Sequence, residues 1–235
     1  MKVGIIHPYF DVIGGAEMTS MSLIDILNKN KIKTRIFCVK KPKISETNFL
    51  QIFQVKQKNF PLFWKYQRIM EIKKIFNAIS NEDILFIMSG GLVLEKSNAK
   101  KIYLYCNSTF SAEIDFSIKE FHGIKGKYSK IIQNNINKSL KILKEDKLKL
   151  ITNSNVTKNE IKEKFQKESI VIYPPVKIEK YKKFQKYNKN KKIIIVSRFS
   201  IEKNLDIAIE IFNRMDFPCE IIGNAKYKNQ FKILE

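Results

Sequence analysis

Short apolar runs alternate with amphipathic stretches along nearly the whole chain, and this alternation constrains the fold more than any other feature. Lys2–His7 (KVGIIH), Lys33–Val39, Asp83–Met88 (DILFIM), Lys101–Cys106 (KIYLYC), Leu148–Thr152 and Ser169–Tyr173 each read as a strand. Between them Ala16–Asn28 sets Ala16, Leu23, Ile24 and Leu27 on one helical face, and Pro61 introduces a second helix that ends near Ile79. Tyr128–Asp146 is predicted as a long helix whose stripe Ile132, Ile136, Leu140 and Leu143 opposes Asn134, Asn137, Lys141 and Lys144. Val156–Phe165 is a further helix. Strands alternating with helices give an α/β domain around a mainly parallel sheet.

The pattern breaks once. Lys177–Lys192 holds eight lysines in sixteen residues with little apolar period, which marks Lys177–Lys191 as a linker after a first domain of residues 1–176. The alternation then restarts over residues 192–235: strand Lys192–Val196, helix Asn204–Met215, strand Pro218–Ile222, then Gly223 and a helical stub. Two strands with so little helix neither close a sheet nor cover both of its faces. The second domain is therefore expected to be incomplete, or to be completed by a second polypeptide.

Composition narrows the class. The net charge of +21 is almost all lysine, with only Arg35, Arg68, Arg198 and Arg214 as arginines. Dedicated nucleic-acid readers concentrate arginine and interleave aromatic residues on one face, so no specific nucleic-acid partner is expected. The lysine is diffuse, and an anionic membrane surface remains open as a partner. No run of about 18 apolar residues exists to span a membrane. Met1-Lys2 passes directly into a strand and leaves no room for a signal peptide. Cys38, Cys106 and Cys219 are odd in number, far apart and form no C-x-x-C, which fits a reducing compartment. The expectation is a cytoplasmic protein, peripheral at the inner membrane face. With only His7 and His122, a histidine-based zinc site is not expected.

Two strand-to-helix junctions carry chemistry. Pro8–Gly15 (PYFDVIGG) follows the first strand, where ligands bind in open α/β sheets. Gly14-Gly15 lets a backbone approach a ligand closely, and the helix start that follows favours an anion; a tight turn would use the same pair. His7 in His7-Pro8 reads as a strand terminus or as a base. The second junction, Ser197–Phe212 (SRFSIEKNLDIAIEIF), carries Arg198 and Lys203 directly after an apolar strand. A guanidinium and an ammonium placed there form a diphosphate-binding arrangement, the arginine through parallel hydrogen bonds and the lysine as a point charge. They also read as ordinary cations flanking a helix.

Taken in order, four segments resemble family 4 retaining glycosyltransferases, nearest in motif to the mannosyltransferases of lipid-linked oligosaccharide assembly. IIHPYFDVIGGAE is similar to the family's H-P…G-G-A-E opening, and ITNSNVTKNEI (Ile151–Ile161) to its N-S-x-x-T-x-x-x-I segment. VIYPPV (Val171–Val176) resembles the Y-P-P-V interdomain motif, and SRFSIEKN the donor-phosphate signature near G-R-x-x-x-E-K-x. The resemblance implies a GT-B architecture of two Rossmann-like domains, the acceptor on the first and the nucleotide-sugar on the second. It implies retention of configuration without a metal or other cofactor. It places Arg198 and Lys203 on the donor diphosphate, closes Gly14-Gly15 on it from the other domain, and puts His7, Glu17 and Tyr105 in the sugar or acceptor vicinity. The implied partners are a GDP- or UDP-sugar and a lipid-linked or saccharide acceptor. Two departures stand out. Tyr105 and Asn107 occupy positions where relatives carry His and Pro, so no catalytic residue is transferred. The family's Glu-x7-Glu pair has no counterpart here, since Glu220 and Glu235 lack the spacing. The function read from the sequence is thus transfer of a sugar, mannose foremost, by a truncated or split enzyme. A non-catalytic acceptor-binding half, a decayed remnant and a basic nucleic-acid binder are the alternatives.

Overall fold

The computed structural model describes residues 1–11, 14–57, 64–89, 93–111, 115, 123–176, 178–182, 192–200, 203–215 and 217–223. The chain divides into two compact units, Met1–Val176 and Lys177–Glu235. In the first, β1 (Lys2–Ile6), α1 (Gly15–Lys29), β2 (Lys33–Cys38), β3 (Leu50–Gln54), α2 (Trp64–Ala78) and β4 (Ile84–Ile87) follow one another. The unit continues with β5 (Lys101–Cys106), α3 (Gly123–Leu143), β6 (Leu148–Thr152), α4 (Asn155–Phe165) and β7 (Ser169–Val171). These strands form one seven-stranded sheet in the order β3-β2-β1-β4-β5-β6-β7. All of its ladders are parallel, with Ile5 opposite both Ile36 and Phe86. The α/β class expected from the sequence is what the chain adopts.

The two faces of the sheet carry separate cores, as a parallel sheet covered by helices requires. Val3, Ile5 and Ile36 pack with Ile24 and Leu27 of α1. Ile6, Phe37 and Leu85 face the other way and pack with Ile72 and Ile75 of α2 and Ile136 of α3. The odd–even alternation of β1 thus assigns its residues to opposite helices.

The structure differs from the sequence reading at three elements. β3 is an additional strand: Leu50 is buried while Gln51 and Phe53 are exposed, so it shows the one-sided pattern of an edge and not an apolar run. α3 begins at Gly123, ahead of Tyr128, and ends at Leu143, where turn hydrogen bonds from Lys144 and Glu145 close it. A single helical turn, α5 (Glu179–Lys182), stands within the lysine-rich stretch. Pro61 and the expected C-terminal helical stub lie outside the described residues.

In the second unit β8 (Ile193–Val196) and β9 (Cys219–Ile222) pair in parallel, with α6 (Leu205–Asn213) between them in sequence. No helix among the described residues is long and apolar enough to cross a membrane.

Candidate functional site

The strand order of the first unit reverses between β1 and β4, so the carboxyl end of β1 opens at a topological switch point. His7 stands there, 0% exposed, its N–H continuing the ladder to the Phe37 carbonyl at 3.1 Å. Its Nδ1 lies 2.7 Å from Ser20 Oγ and its Nε2 3.3 Å from Glu17 Oε1, both on α1. The Phe10 ring covers the imidazole with centroids 4.2 Å apart. Burial lowers the His7 pKa below its ordinary 6.5, against the opposing pull of Glu17. In the neutral ring Nε2–H donates to Glu17, while the one Ser20 hydroxyl proton faces both His7 Nδ1 and the Ala16 carbonyl, 3.0 Å away.

Glu17 also reaches back along the helix. Its Oε2 accepts the Gly14 N–H at 2.9 Å, one half of a capping box; glycine has no side chain for the other half. Thr19 Oγ1 donates to the Gly15 carbonyl at 2.9 Å. His7, Glu17 and Gly14 therefore form a connected brace that fixes the first turn of α1. A Cβ on Gly14 would sit 2.9 Å from Glu17 Oε2, whereas a Cβ on Gly15 would meet nothing within 4 Å. The surface over Gly15 is open at the point where a helix start offers unpaired N–H groups.

Stability should report the state of His7. Because the fold favours the neutral ring, protons bind the unfolded chain more readily below pH 6.5, and stability falls as pH drops through that value. His7→Gln should flatten this slope below pH 6.5, measured as urea midpoints across pH. Equal slopes in both proteins would show that the imidazole does not titrate on unfolding.

A second polar group lies across the sheet, unread in the sequence. Tyr9 donates from its hydroxyl to Glu71 Oε2 at 2.5 Å, and Gln67 Nε2 donates to Glu71 Oε1 at 2.8 Å. The Arg68 guanidinium stands 5.3 Å over the Tyr9 ring, and its buried Nε has no hydrogen-bond partner among the described residues. Burial, with Glu71 beside it, pushes the Tyr9 phenol well above its ordinary range. Two signals were available: Glu71 interrupts the stripe Ile69, Ile72, Ile75 of α2, and Arg68 is one of four arginines among many lysines.

Tyr105, at the end of β5, is buried, and its hydroxyl donates to the Ile172 carbonyl at 3.0 Å. Burial raises its pKa, opposed by a hydrogen bond with Thr19 of α1. It packs in the same core cluster as Phe10. In the second unit, Ser197 N–H extends the β8–β9 ladder to the Ile222 carbonyl at 3.0 Å. Arg198 follows at once and is exposed. Lys203, also exposed, sits in a turn closed by its N–H to the Ser200 carbonyl at 2.9 Å. Asn204 then takes a left-handed conformation (φ 48°) and starts α6. Both cations stand at the strand-to-helix junction expected for them. Among the described residues no three His, Cys, Asp or Glu side chains gather as a metal site.

An all-parallel sheet of reversed strand order, followed by a second β-α-β unit, is the architecture of a Rossmann-like α/β protein. No family model and no curated protein matches the sequence. Among solved structures, the chain is similar to WaaG, a glycosyltransferase involved in lipopolysaccharide biosynthesis. The match has 13% identity and a TM-score of 0.60, over 98% of this chain and 66% of that one. A UGT transferase from Siraitia grosvenorii, solved in complex with UDP, matches at 10% identity and a TM-score of 0.43, over 98% of this chain and 74% of that one. The fold is thus the GT-B-type α/β fold of glycosyltransferases, and this chain spans just under two thirds of the length of WaaG.

Proposed function

We propose that the chain acts in glycosyl transfer, moving a sugar from a nucleotide-sugar donor to a lipid-linked or saccharide acceptor with retention of configuration. GDP-mannose is the first donor to test. The observation that carries this reading is the braced start of α1 at the switch point, where Gly15 leaves room for a ligand and no neighbour among the described residues fills it. The likeness of the fold to WaaG, a glycosyltransferase, supports a nucleotide-sugar as that ligand.

In this reading Arg198 and Lys203 compensate the charge that develops as the nucleoside diphosphate departs, the work an electrophilic clamp performs. The fork of Arg198 fixes the diphosphate orientation, and Lys203 adds charge without directional demand. The α1 start contributes backbone N–H groups and the positive end of its dipole. His7 and Glu17 act as positioning residues, since the imidazole is wholly buried and the carboxylate already holds the loop. Tyr9 and Arg68 offer hydroxyl and guanidinium groups on the acceptor side of the same sheet end.

Calorimetric titration of the purified chain with GDP- and UDP-sugars tests the reading. Arg198→Ala should weaken the preferred donor by about 10- to 100-fold, the range of a charge-assisted hydrogen bond. Binding should persist in EDTA. Equal affinity of wild type and Arg198→Ala would remove Arg198 from the site, and no binding of any nucleotide-sugar by the wild type would overturn the proposal.

A further inference from the structure

A cavity of about 290 Å³ opens at the amino ends of β1, β2 and β3, the end of the sheet opposite the switch point. Strand register builds its floor. Lys2 and Lys33 are directly opposite each other on neighbouring strands, and two residues further Gly4 is opposite Arg35, which is opposite Gln51. The period of two sends all five to one face of the sheet. A tight turn makes the other wall. Thr47 and Leu50 exchange backbone hydrogen bonds at 2.9 and 3.1 Å around Asn48 and Phe49. Thr47 Oγ1 donates to Asn28 of α1 at 2.9 Å, and the Phe49 carbonyl accepts the Thr34 N–H at 2.7 Å, so the turn is held from both sides.

The charge in this cavity is unbalanced. Glu82 is the one acid among the lining residues, and its side chain, 4% exposed, is already committed. One oxygen pairs with Arg35 at 3.3 Å and the other accepts the Ser80 N–H at 3.1 Å. Gly4 makes that reach possible, since a Cβ there would stand 2.9 Å from Glu82 Cγ. Asp83, the next acid, is held by the Lys100 ammonium and the Lys2 N–H. The Lys2 and Lys33 ammonium groups have no partner among the described residues. Like charges directly opposite on a sheet are destabilising, and a bound anion relieves them. We propose that this cavity binds a small organic phosphate monoester. Such a group carries about −1.5 to −2 at neutral pH, which matches the two uncompensated lysines. Arg35 has further N–H donors for the same oxygens beyond the one that faces Glu82. The cavity holds about ten times the roughly 30 Å³ that one water takes in the liquid, more than a lone phosphate fills. The organic part lies against the Phe49 ring, with the exposed amides of Asn48 and Gln51 for its hydroxyl groups. This site shares no residue with Arg198, Lys203 or the start of α1, and its occupancy is independent of sugar transfer.

Amide NMR shifts of the full chain test the site with two probes, glycerol 3-phosphate and inorganic phosphate. The N–H groups of Lys33, Thr34, Phe49 and Gln51 should move saturably with the ester, whereas an anion held at Arg198 would leave them in place. Lys2→Gln/Lys33→Gln should weaken the ester by about 10-fold or more, while the stability of the unliganded chain holds or rises as the like-charge pair is removed. Asn48→Ala/Gln51→Ala should weaken the ester by about 10-fold and leave inorganic phosphate unchanged. All four substituted positions are exposed, so the fold is kept. Ester binding that leaves these four amides unshifted, or an ester affinity unmoved by the lysine substitutions, would overturn the proposal. Inorganic phosphate bound as tightly as the ester would overturn it as well.

Discussion

Gly223→Ala is expected to disrupt the second unit and carry the proposed donor-binding junction with it. A Cβ at this position would stand 1.8 Å from the Ser197 carbonyl oxygen and 3.1 Å from its carbon, and 2.8 Å from the Phe199 ring. A flexible side chain yields to such an intrusion, but a backbone carbonyl at the end of a strand does not. Ser197 is held there by its own N–H, which donates to the Ile222 carbonyl at 3.0 Å, next to Gly223 in the chain. Relief requires β8 and β9 to part at their carboxyl ends, breaking that bond and shifting the Val196–Ile222 pair. The destabilisation should exceed about 3 kcal/mol, beyond the usual range for overpacking, because a ladder bond is lost in addition. Arg198 follows Ser197 directly, so nucleotide-sugar affinity should fall together with stability. Urea unfolding gives the first quantity and amide exchange at Ser197 localises it. An unchanged unfolding midpoint with full protection at Ser197 would show that the strands part without penalty, and Gly223 would lose its role.

How much of this was legible beforehand depends on the range of each signal. The apolar runs of β1, β2, β4 and β5 are buried on both faces, so composition alone marks them, and the α/β class followed. β3 escaped because an edge strand needs only one dry face: Leu50 and Ile52 alternate with Gln51 and Phe53, too weak a pattern in five residues. The start of α3 escaped for a related reason, since Gly123 and Gly126 interrupt the apolar stripe that begins at Tyr128. Gly14-Gly15 was readable because loop chemistry is local. The position of His7 was readable, but its surroundings were not. Its burial follows from the parity of β1, which sends Val3, Ile5 and His7 toward α1 and Ile6 toward α2. Tyr9, Arg68 and Glu71 show the limit most clearly. Tyr9 and Glu71 are 62 residues apart, and only the placement of α2 over the sheet end brings the phenol to the carboxylate.

Gly15→Ala is expected to separate fold from function. Gly15 is the first residue of α1, it does not need a left-handed backbone, and an added methyl would meet no atom within 4 Å. Alanine there restricts the unfolded chain and favours the helix, so stability should hold or rise by about 0.4–1 kcal/mol. If a diphosphate packs against this backbone, the same methyl occupies the space of a phosphate oxygen, and nucleotide-sugar affinity should drop by about 100-fold or more. Gly14→Ala provides the contrast. Its methyl would press on Glu17 Oε2 at 2.9 Å, loosening the carboxylate from both the Gly14 N–H and His7, so stability and affinity should fall together. Thermal unfolding and calorimetry on the two variants distinguish a glycine kept for a ligand from one kept for a turn. Should Gly15→Ala bind nucleotide-sugars as the wild type does, the donor does not rest on the start of α1. The diphosphate would then depend on Arg198 and Lys203 alone, a site in which two exposed cations must do without the backbone N–H groups that give a phosphate its orientation.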